Sequence, residues 1–177
     1  MKNLLFPMVA LASLACSCVI HERADVRQEI VSADLHEREF LFAPVRALAG
    51  RWEGQDADGK KLTVEFKLTA GGSAVREDMF PASENEMTNM YTLDGNRLRL
   101  THYCAMGNQP HLIGNMSQMG RFDFETEVVN DLKKSDEPYM GSMTLVLVDA
   151  DHIEEHWRAL KSGKVDHETV FKLARVK

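Results

Sequence analysis

Apolar and polar residues alternate with a period of two along most of the chain after Gly50. Leu62, Val64, Phe66 and Leu68 interleave with Thr63, Glu65, Lys67 and Thr69, the pattern of a strand with one dry and one wet face. Phe122, Phe124, Thr126 and Val128 alternate with Arg121, Asp123, Glu125 and Glu127 in the same way. Turn-forming residues fall between such runs at Gly71-Gly72, Asp94-Gly95-Asn96, Gly107-Asn108, Asp149-Ala150-Asp151 and Ser162-Gly163. The pattern predicts about ten strands, near 51–57, 61–69, 73–80, 86–93, 97–104, 111–116, 120–128, 141–149, 152–158 and 165–175. The polar stretch from Val129 to Pro138 is expected to form a loop or short helix at one rim. Ten short, hairpin-connected strands must protect their edges, and closing the sheet on itself removes them altogether. The predicted fold is therefore all-β, a closed up-and-down antiparallel barrel of about ten strands with a short N-terminal helix. A two-sheet sandwich is the alternative, and it has a filled core where a barrel of this size has room for one small ligand.

Before Gly50 the pattern is different. From Glu39 to Ala49 the residues Phe40, Leu41, Val45 and Leu48 form a loose helical stripe, interrupted by Pro44, and predict a short helix across one end of the barrel. His21 to Arg38 is charge-dense and reads as a solvated tether. Met1 to Ile20 carries one cation, Lys2, and a mostly apolar run from Leu4 to Leu14, the shape of a secretory signal. Ser13-Leu14-Ala15-Cys16 approximates a lipobox and makes Cys16 the expected lipidation site; Ala10-Leu11-Ala12 is the competing small-x-small cleavage site. The expected division is signal peptide 1–15, tether 16–42 and barrel 43–177. The protein is expected to be exported, as an outer-membrane lipoprotein or in the periplasm, and to meet a membrane through its lipid anchor alone.

Composition narrows the function. The 177 residues are 44% hydrophobic and 27% charged, enough apolar content for a core. Lys plus Arg number 21 against 27 Asp plus Glu, a net charge of −6, and loss of residues 1–15 removes only Lys2. Such a balance argues against nucleic-acid binding, which needs a basic footprint. Three cysteines are too few for a disulfide scaffold.

Leu48-Ala49-Gly50-Arg51-Trp52-Glu53-Gly54 resembles the Gly-x-Trp start of lipocalin-like (calycin) barrels. The resemblance implies that Trp52 plugs one end of the barrel and that a cation of the last strand, Arg175 or Lys172, stacks on it. Thr69-Ala70-Gly71-Gly72-Ser73, Thr101-His102-Tyr103-Cys104, Gly107-Asn108-Gln109-Pro110, Asp149-Ala150-Asp151-His152-Ile153 and Phe171-Lys172-Leu173-Ala174-Arg175 are similar to an uncharacterised family of exported bacterial single-domain proteins. That resemblance covers roughly residues 43–177 and implies a fold without an activity.

Hairpin parity assigns the faces. Arg97 and Arg99 must face water, which turns Leu98, Leu100, His102 and Cys104 inward. A two-residue turn at Asp94-Gly95 or Gly95-Asn96 then puts Met87, Asn89, Tyr91 and Leu93 on the same inner face. An even-length loop at Gly71-Gly72 aligns Val75, Glu77 and Met79 with Leu68, Phe66 and Val64. The lumen wall is thus expected to be apolar apart from Glu77, Asn89, Tyr91, His102 and Cys104. A few convergent polar groups in an apolar cavity are what small-molecule sites look like, and these five are the candidate ligand-binding residues. The same residues would also serve as a satisfied polar network that fixes strand register.

The leading expectation is a carrier or binder of a small, partly apolar molecule, with no cofactor required. Eight of the ten methionines lie between Met79 and Met143, as adaptable pocket lining or simple core filler. A second reading is metal or haem binding. His102, Cys104 and Met106 recur every second residue with His111 beyond the turn, and His152, His156 and His167 lie near the C-terminal hairpin. Catalysis is the least supported class. Cys104 and His102 invite a thiolate–imidazole pair, but neighbours on one strand point in parallel, and no Gly-x-Ser-x-Gly elbow, phosphate loop or dinucleotide fingerprint is present. A filled, purely structural barrel is the remaining alternative.

Overall fold

The computed structural model describes residues 34–56 and 58–177. The expected signal peptide, the lipidation site Cys16 and most of the tether lie outside the described residues. Ten strands follow one helix. They are β1 (Gly50–Gln55), β2 (Lys61–Thr69), β3 (Ala74–Met79), β4 (Met87–Asp94), β5 (Arg97–Tyr103), β6 (Gln109–Gln118), β7 (Arg121–Asn130), β8 (Tyr139–Leu147), β9 (His152–Lys161) and β10 (Lys164–Arg175). Every neighbouring pair is antiparallel, and the sheet closes through β1 and β10 in the order β1-β10-β9-β8-β7-β6-β5-β4-β3-β2. The closed barrel replaces the sandwich alternative.

Helix α1 (Leu35–Arg46) begins four residues before the expected Glu39 and takes in residues assigned to the tether. The cause is local. Asp34 caps the helix, its side chain accepting a hydrogen bond from the Glu37 amide at 2.8 Å, and so satisfies one of the first-turn donors. Pro44 sits in the last turn, where the hydrogen bond it removes is near the fraying end. The helix lays Phe42 and Val45 over one end of the barrel, next to Leu48 and Trp52. The 131–138 connection contains no helix. It is closed by the Lys133 amide donating to Glu137 and by Asn108 Nδ2 donating to the Pro138 carbonyl.

The seam between first and last strand is built as the resemblance implied. Trp52 is fully buried, opposes Arg175 in register, and carries the Arg175 guanidinium 4.2 Å from its ring centroid. Trp52 Nε1 donates to the Leu48 carbonyl at 2.8 Å. The two guanidinium NH groups donate to the carbonyls of Ala49 and Ala47 at 2.9 and 2.8 Å, so one side chain ties the last strand to the C-terminal end of α1. Such stacking contributes ~0.5–2 kcal/mol, and the fork adds charge-assisted hydrogen bonds that a lysine would not reproduce.

Inside, Phe66, Tyr91, Leu98, Leu100, Leu112, Phe122, Phe124, Met143 and Leu145 form one contiguous core with Trp52. The half of the lumen nearest α1 is therefore packed solid with aromatic and aliphatic side chains.

Candidate functional site

The hairpin registers bring four of the five predicted residues together. Phe66 opposes Glu77, Glu77 opposes Asn89, and Asn89 opposes His102, so β2, β3, β4 and β5 present one level of the lumen wall. Glu77, Asn89, Tyr91 and His102 are all buried, at 0–1% exposure. Glu77 Oε2 accepts from Tyr91 OH at 2.7 Å and from Asn89 Nδ2 at 2.9 Å. Because Asn89 spends its amide on Glu77, its Oδ1 faces His102 Nδ1 at 2.7 Å as an acceptor. His102 must therefore donate through Nδ1–H, leaving Nε2 as a bare lone pair. That Nε2 is buried and has no partner. Burial pushes the His102 pKa down to about 4, so the ring is neutral at physiological pH.

Cys104 departs from the expected inward row. β5 ends at Tyr103, and the chain turns at once: the Gly107 amide donates to the Cys104 carbonyl, and the Cys104 amide to Asn108. This tight turn, with Gly107 at φ 89°, leaves Cys104 half-buried beyond the polar level and outside the Glu77–His102 network. Burial pushes its thiol pKa up, the opposite of an activated nucleophile. The proposed soft-metal row is also dispersed. Met106 is exposed in the turn, and His111 binds Thr101 and Asn130 through its two ring nitrogens. His152 is tied to Asp149 and His156 to Glu154, and His167 is exposed. Among the described residues no three His, Cys, Asp or Glu side chains come together as a metal site.

The network has a member that the sequence reading passed over. Glu155 on β9 is fully buried with its side chain within hydrogen-bonding reach of Glu77, and the Oε1 atoms of both carboxyls have no other partner. In the ring, β3 and β9 are separated by β2, β1 and β10, so this contact crosses the lumen and links facing walls. Two carboxyls in hydrogen-bond contact away from water cannot both ionise. Burial first, and then the charge of Glu77, raises Glu155 well above the ordinary carboxylate range. Glu77 is also raised by burial, but the hydroxyl of Tyr91, the amide of Asn89 and the proton of Glu155 pull it back. Of the two, Glu155 therefore holds its proton the more tightly. Burial, ahead of the neighbouring carboxylates, raises the Tyr91 pKa well above 10 and keeps its phenol a donor. Glu155 Oε2 in turn accepts from Trp157 Nε1 at 3.2 Å, and the Trp157 ring lies 4.9 Å from His102. The result is a closed belt across the lumen, Glu77–Glu155–Trp157–His102–Asn89. The signal for Glu155 was present: Ile153, Glu155 and Trp157 alternate with Glu154, His156 and Arg158, so the parity that fixed Glu77 also turns Glu155 inward.

A groove of about 1490 Å³ opens beside the belt, along the β1–β10 seam and under the 80–86 loop. Its apolar surface comes from Leu62, Phe80, Ile153, Phe171 and Leu173, and Lys60, Lys61, His167 and Lys172 stand at its margin. The groove exists because β1 stops at Gln55, opposite Lys172, while β10 runs back to Lys164 with no partner on that side. Phe171 on its wall is the direct cross-strand neighbour of Glu155. Phe80, whose ring stands edge-on to Phe171 at 5.5 Å, holds a left-handed backbone with φ 55°, a strained state for an aromatic residue. None of the five predicted site residues lines this groove.

Comparison with known proteins reaches the fold and stops there. No family model and no curated protein matches the chain. Among solved structures, a protein of unknown function from the DUF3598 family of Nostoc punctiforme superposes with a TM-score of 0.51 at 16% identity, over 75% of this chain and 49% of that one. The chain spans about half the length of that neighbour. A redesigned β-barrel matches with a TM-score of 0.35 at 11% identity, over 74% of this chain and 93% of that one. The class defined is a closed ten-stranded antiparallel barrel with an internal carboxyl pair.

Proposed function

We propose that the protein is a small-molecule binder or carrier of the bacterial cell envelope, built on a lipocalin-like barrel. The observation that carries this reading is the groove of about 1490 Å³, whose apolar wall is continuous with the barrel interior through Leu62, Ile153, Phe171 and Leu173. Its dimensions are ample for a partly apolar ligand, and ligands seat in the mouths of β-barrels. The envelope location rests on the apolar N-terminal run and the Cys16 lipobox. The five predicted binding residues take a modified role. Glu77, Asn89, Tyr91 and His102 form the polar belt beneath the groove, and Cys104 stands apart.

The test is native mass spectrometry of protein purified from a bacterial periplasm, combined with a thermal-shift panel of lipids and aromatic compounds. The proposal expects a co-purifying small molecule or a stabilising shift from at least one class, abolished by Phe171→Glu. No bound species and no shift from any class identifies the protein as a filled structural barrel instead.

A further inference from the structure

Large apolar side chains stand in the open at one end of the barrel. Helix α1 lies across the end where β1 starts. The antiparallel run brings the β2–β3, β4–β5, β6–β7 and β8–β9 connections and the C-terminus to that same end. Leu35 and Phe40 on α1, Leu68 at the close of β2, Met119 and Val148 in two of the turns, and Val176 after β10 are all exposed there, Leu35 at 83% and Met119 at 81%. Leu68 continues the inward row of Val64 and Phe66 past the rim, and Val148 also borders the groove. On α1, Phe42 and Val45 face the barrel, while Phe40 and Ala43 are exposed on the other side of the helix. The connections at the opposite end carry one such exposed side chain among the described residues, Met106. Apolar residues scattered singly over a surface are ordinary, but six gathered at one end mark a surface that meets something.

Two further observations say what it meets. Arg38 donates to the Gly95 carbonyl in the β4–β5 turn, and its amide donates to Asp34 one helical turn earlier, so Asp34 is held at this same rim. Residues 1–33 therefore join the barrel here, and they include the apolar run Leu4–Leu14 and the lipidation site expected at Cys16. Asp34 follows Cys16 by 18 residues, so lipidation there holds this end within roughly 60 Å of a bilayer even at full extension. A tether of that reach raises the effective concentration of the surface, and a weak contact becomes a populated one. The second observation is charge. Arg46 is paired with Glu39, Arg121 with Asp123, and both Arg175 and Lys177 with Asp151. Pairing withholds these four cations from acidic headgroups, which leaves apolar insertion as the driving force. We propose that the α1 end of the barrel docks on a phospholipid bilayer, with Phe40, Leu68 and Met119 seated at the boundary between headgroups and acyl chains. The docking goes beyond a lipid anchor, because it fixes which end of the barrel meets the membrane. The 80–86 loop, at the opposite end, then faces away from it.

Fluorescence of the full chain in phosphatidylcholine vesicles, with bromine on the acyl chains as a short-range quencher, tests the docking. The native Trp52 and Trp157 are buried inside the barrel and give a constant background. Phe40→Trp and Met119→Trp add a reporter at the α1 end, and Tyr103→Trp adds one at the opposite end. The first two should lose roughly half of their added emission, as side chains seated at the headgroup–acyl boundary do, and Tyr103→Trp almost none. Salt at about 0.5 M should leave that loss unchanged, because apolar insertion is not screened. Loss in none of the three reporters, equal loss in all three, or a chain that does not stay with the vesicles overturns the proposal. A loss that salt abolishes assigns the attachment to charge and overturns it too. Dimers in solution whose α1-end reporters stay unquenched on vesicles give the face to a second copy instead. Should a tryptophan variant fail to fold, amide hydrogen exchange of the wild type decides. Vesicles should slow exchange in α1 and in the 119–120 and 148–151 turns and leave the 104–108 and 131–138 connections as they were; slowing that is uniform or absent contradicts the docking.

Discussion

At the scale of single residues, protonation in the belt controls behaviour with pH. Glu155 has its folded pKa raised, so its proton is bound more tightly in the folded state than in the unfolded one. The stability it contributes is complete below the unfolded value of about 4.5 and is lost as pH climbs through the folded value. Glu155→Gln keeps a donor for Glu77 and an acceptor for Trp157, so it should cost less than ~1 kcal/mol at pH 7 and flatten the decline in stability at alkaline pH. Glu77→Gln places an amide where three donors converge, and should cost ~1–3 kcal/mol more than Glu155→Gln at pH 7. Urea denaturation of both variants from pH 5 to 9 checks the asymmetry; equal costs would mean that the proton does not reside on Glu155.

His102 works in the opposite direction. Its folded pKa of about 4 lies below the usual 6.5, so the unfolded chain takes up a proton that the folded one refuses. Its contribution is present above pH 6.5 and is lost as pH falls toward 4, with a slope of ~1.4 kcal/mol per pH unit. His102→Gln should reduce the acid slope of stability by about that amount relative to wild type, read from urea midpoints between pH 4 and 6.5. An unchanged slope would show that His102 is already protonated or reached by water.

At the scale of elements, closure depends on the contact between β1 and β10. Only Trp52 to Gln55 pair with β10, and there the strands come so close that a Cβ on Gly54 would lie 1.9 Å from the Lys172 carbonyl oxygen. Gly54→Ala must therefore part the seam. A cost of ~2–4 kcal/mol follows, together with faster hydrogen exchange of the amides of β1 and the C-terminal half of β10, while β4–β7 stay protected. A protection pattern that falls evenly around the ring would contradict the seam as the weak point.

Much of this was legible before any coordinates. Strand alternation sets the ten strands because each has one buried face, and a two-residue turn at Gly95-Asn96 forces Asn89 against His102. The positions that escaped follow from longer-range events. The helix start moved to the Asp34 cap, which a hydrophobic stripe does not encode. Cys104 left its strand because the turn closing on Asn108 begins one residue earlier than alternation implies. Glu155 carries the right parity, but its partner is four strands away around the ring, and a cross-lumen contact has no local signature. The groove arises from unequal hairpin lengths at the seam, which only the closed ring reveals.

At the scale of the whole molecule, the barrel divides into two halves with different tasks. The end under α1 is packed by Trp52, Phe66, Phe122 and Phe124 and held by Arg175, which makes it a rigid plug. The other end has the open groove and the adaptable side chains Met79, Met87 and Met140 on its inner wall. The belt lies where the two meet, and it gives the lumen buried polar groups that a uniform apolar core would lack. The most direct measurement is a carbon-detected NMR titration of the Glu77 and Glu155 side-chain carboxyls in the ligand-free protein. At pH 7 one carboxyl, that of Glu155, should resonate as the neutral acid and the other as the carboxylate. Two carboxylates, each titrating near the ordinary value of a solvent-exposed glutamate, would contradict a shared proton across the lumen.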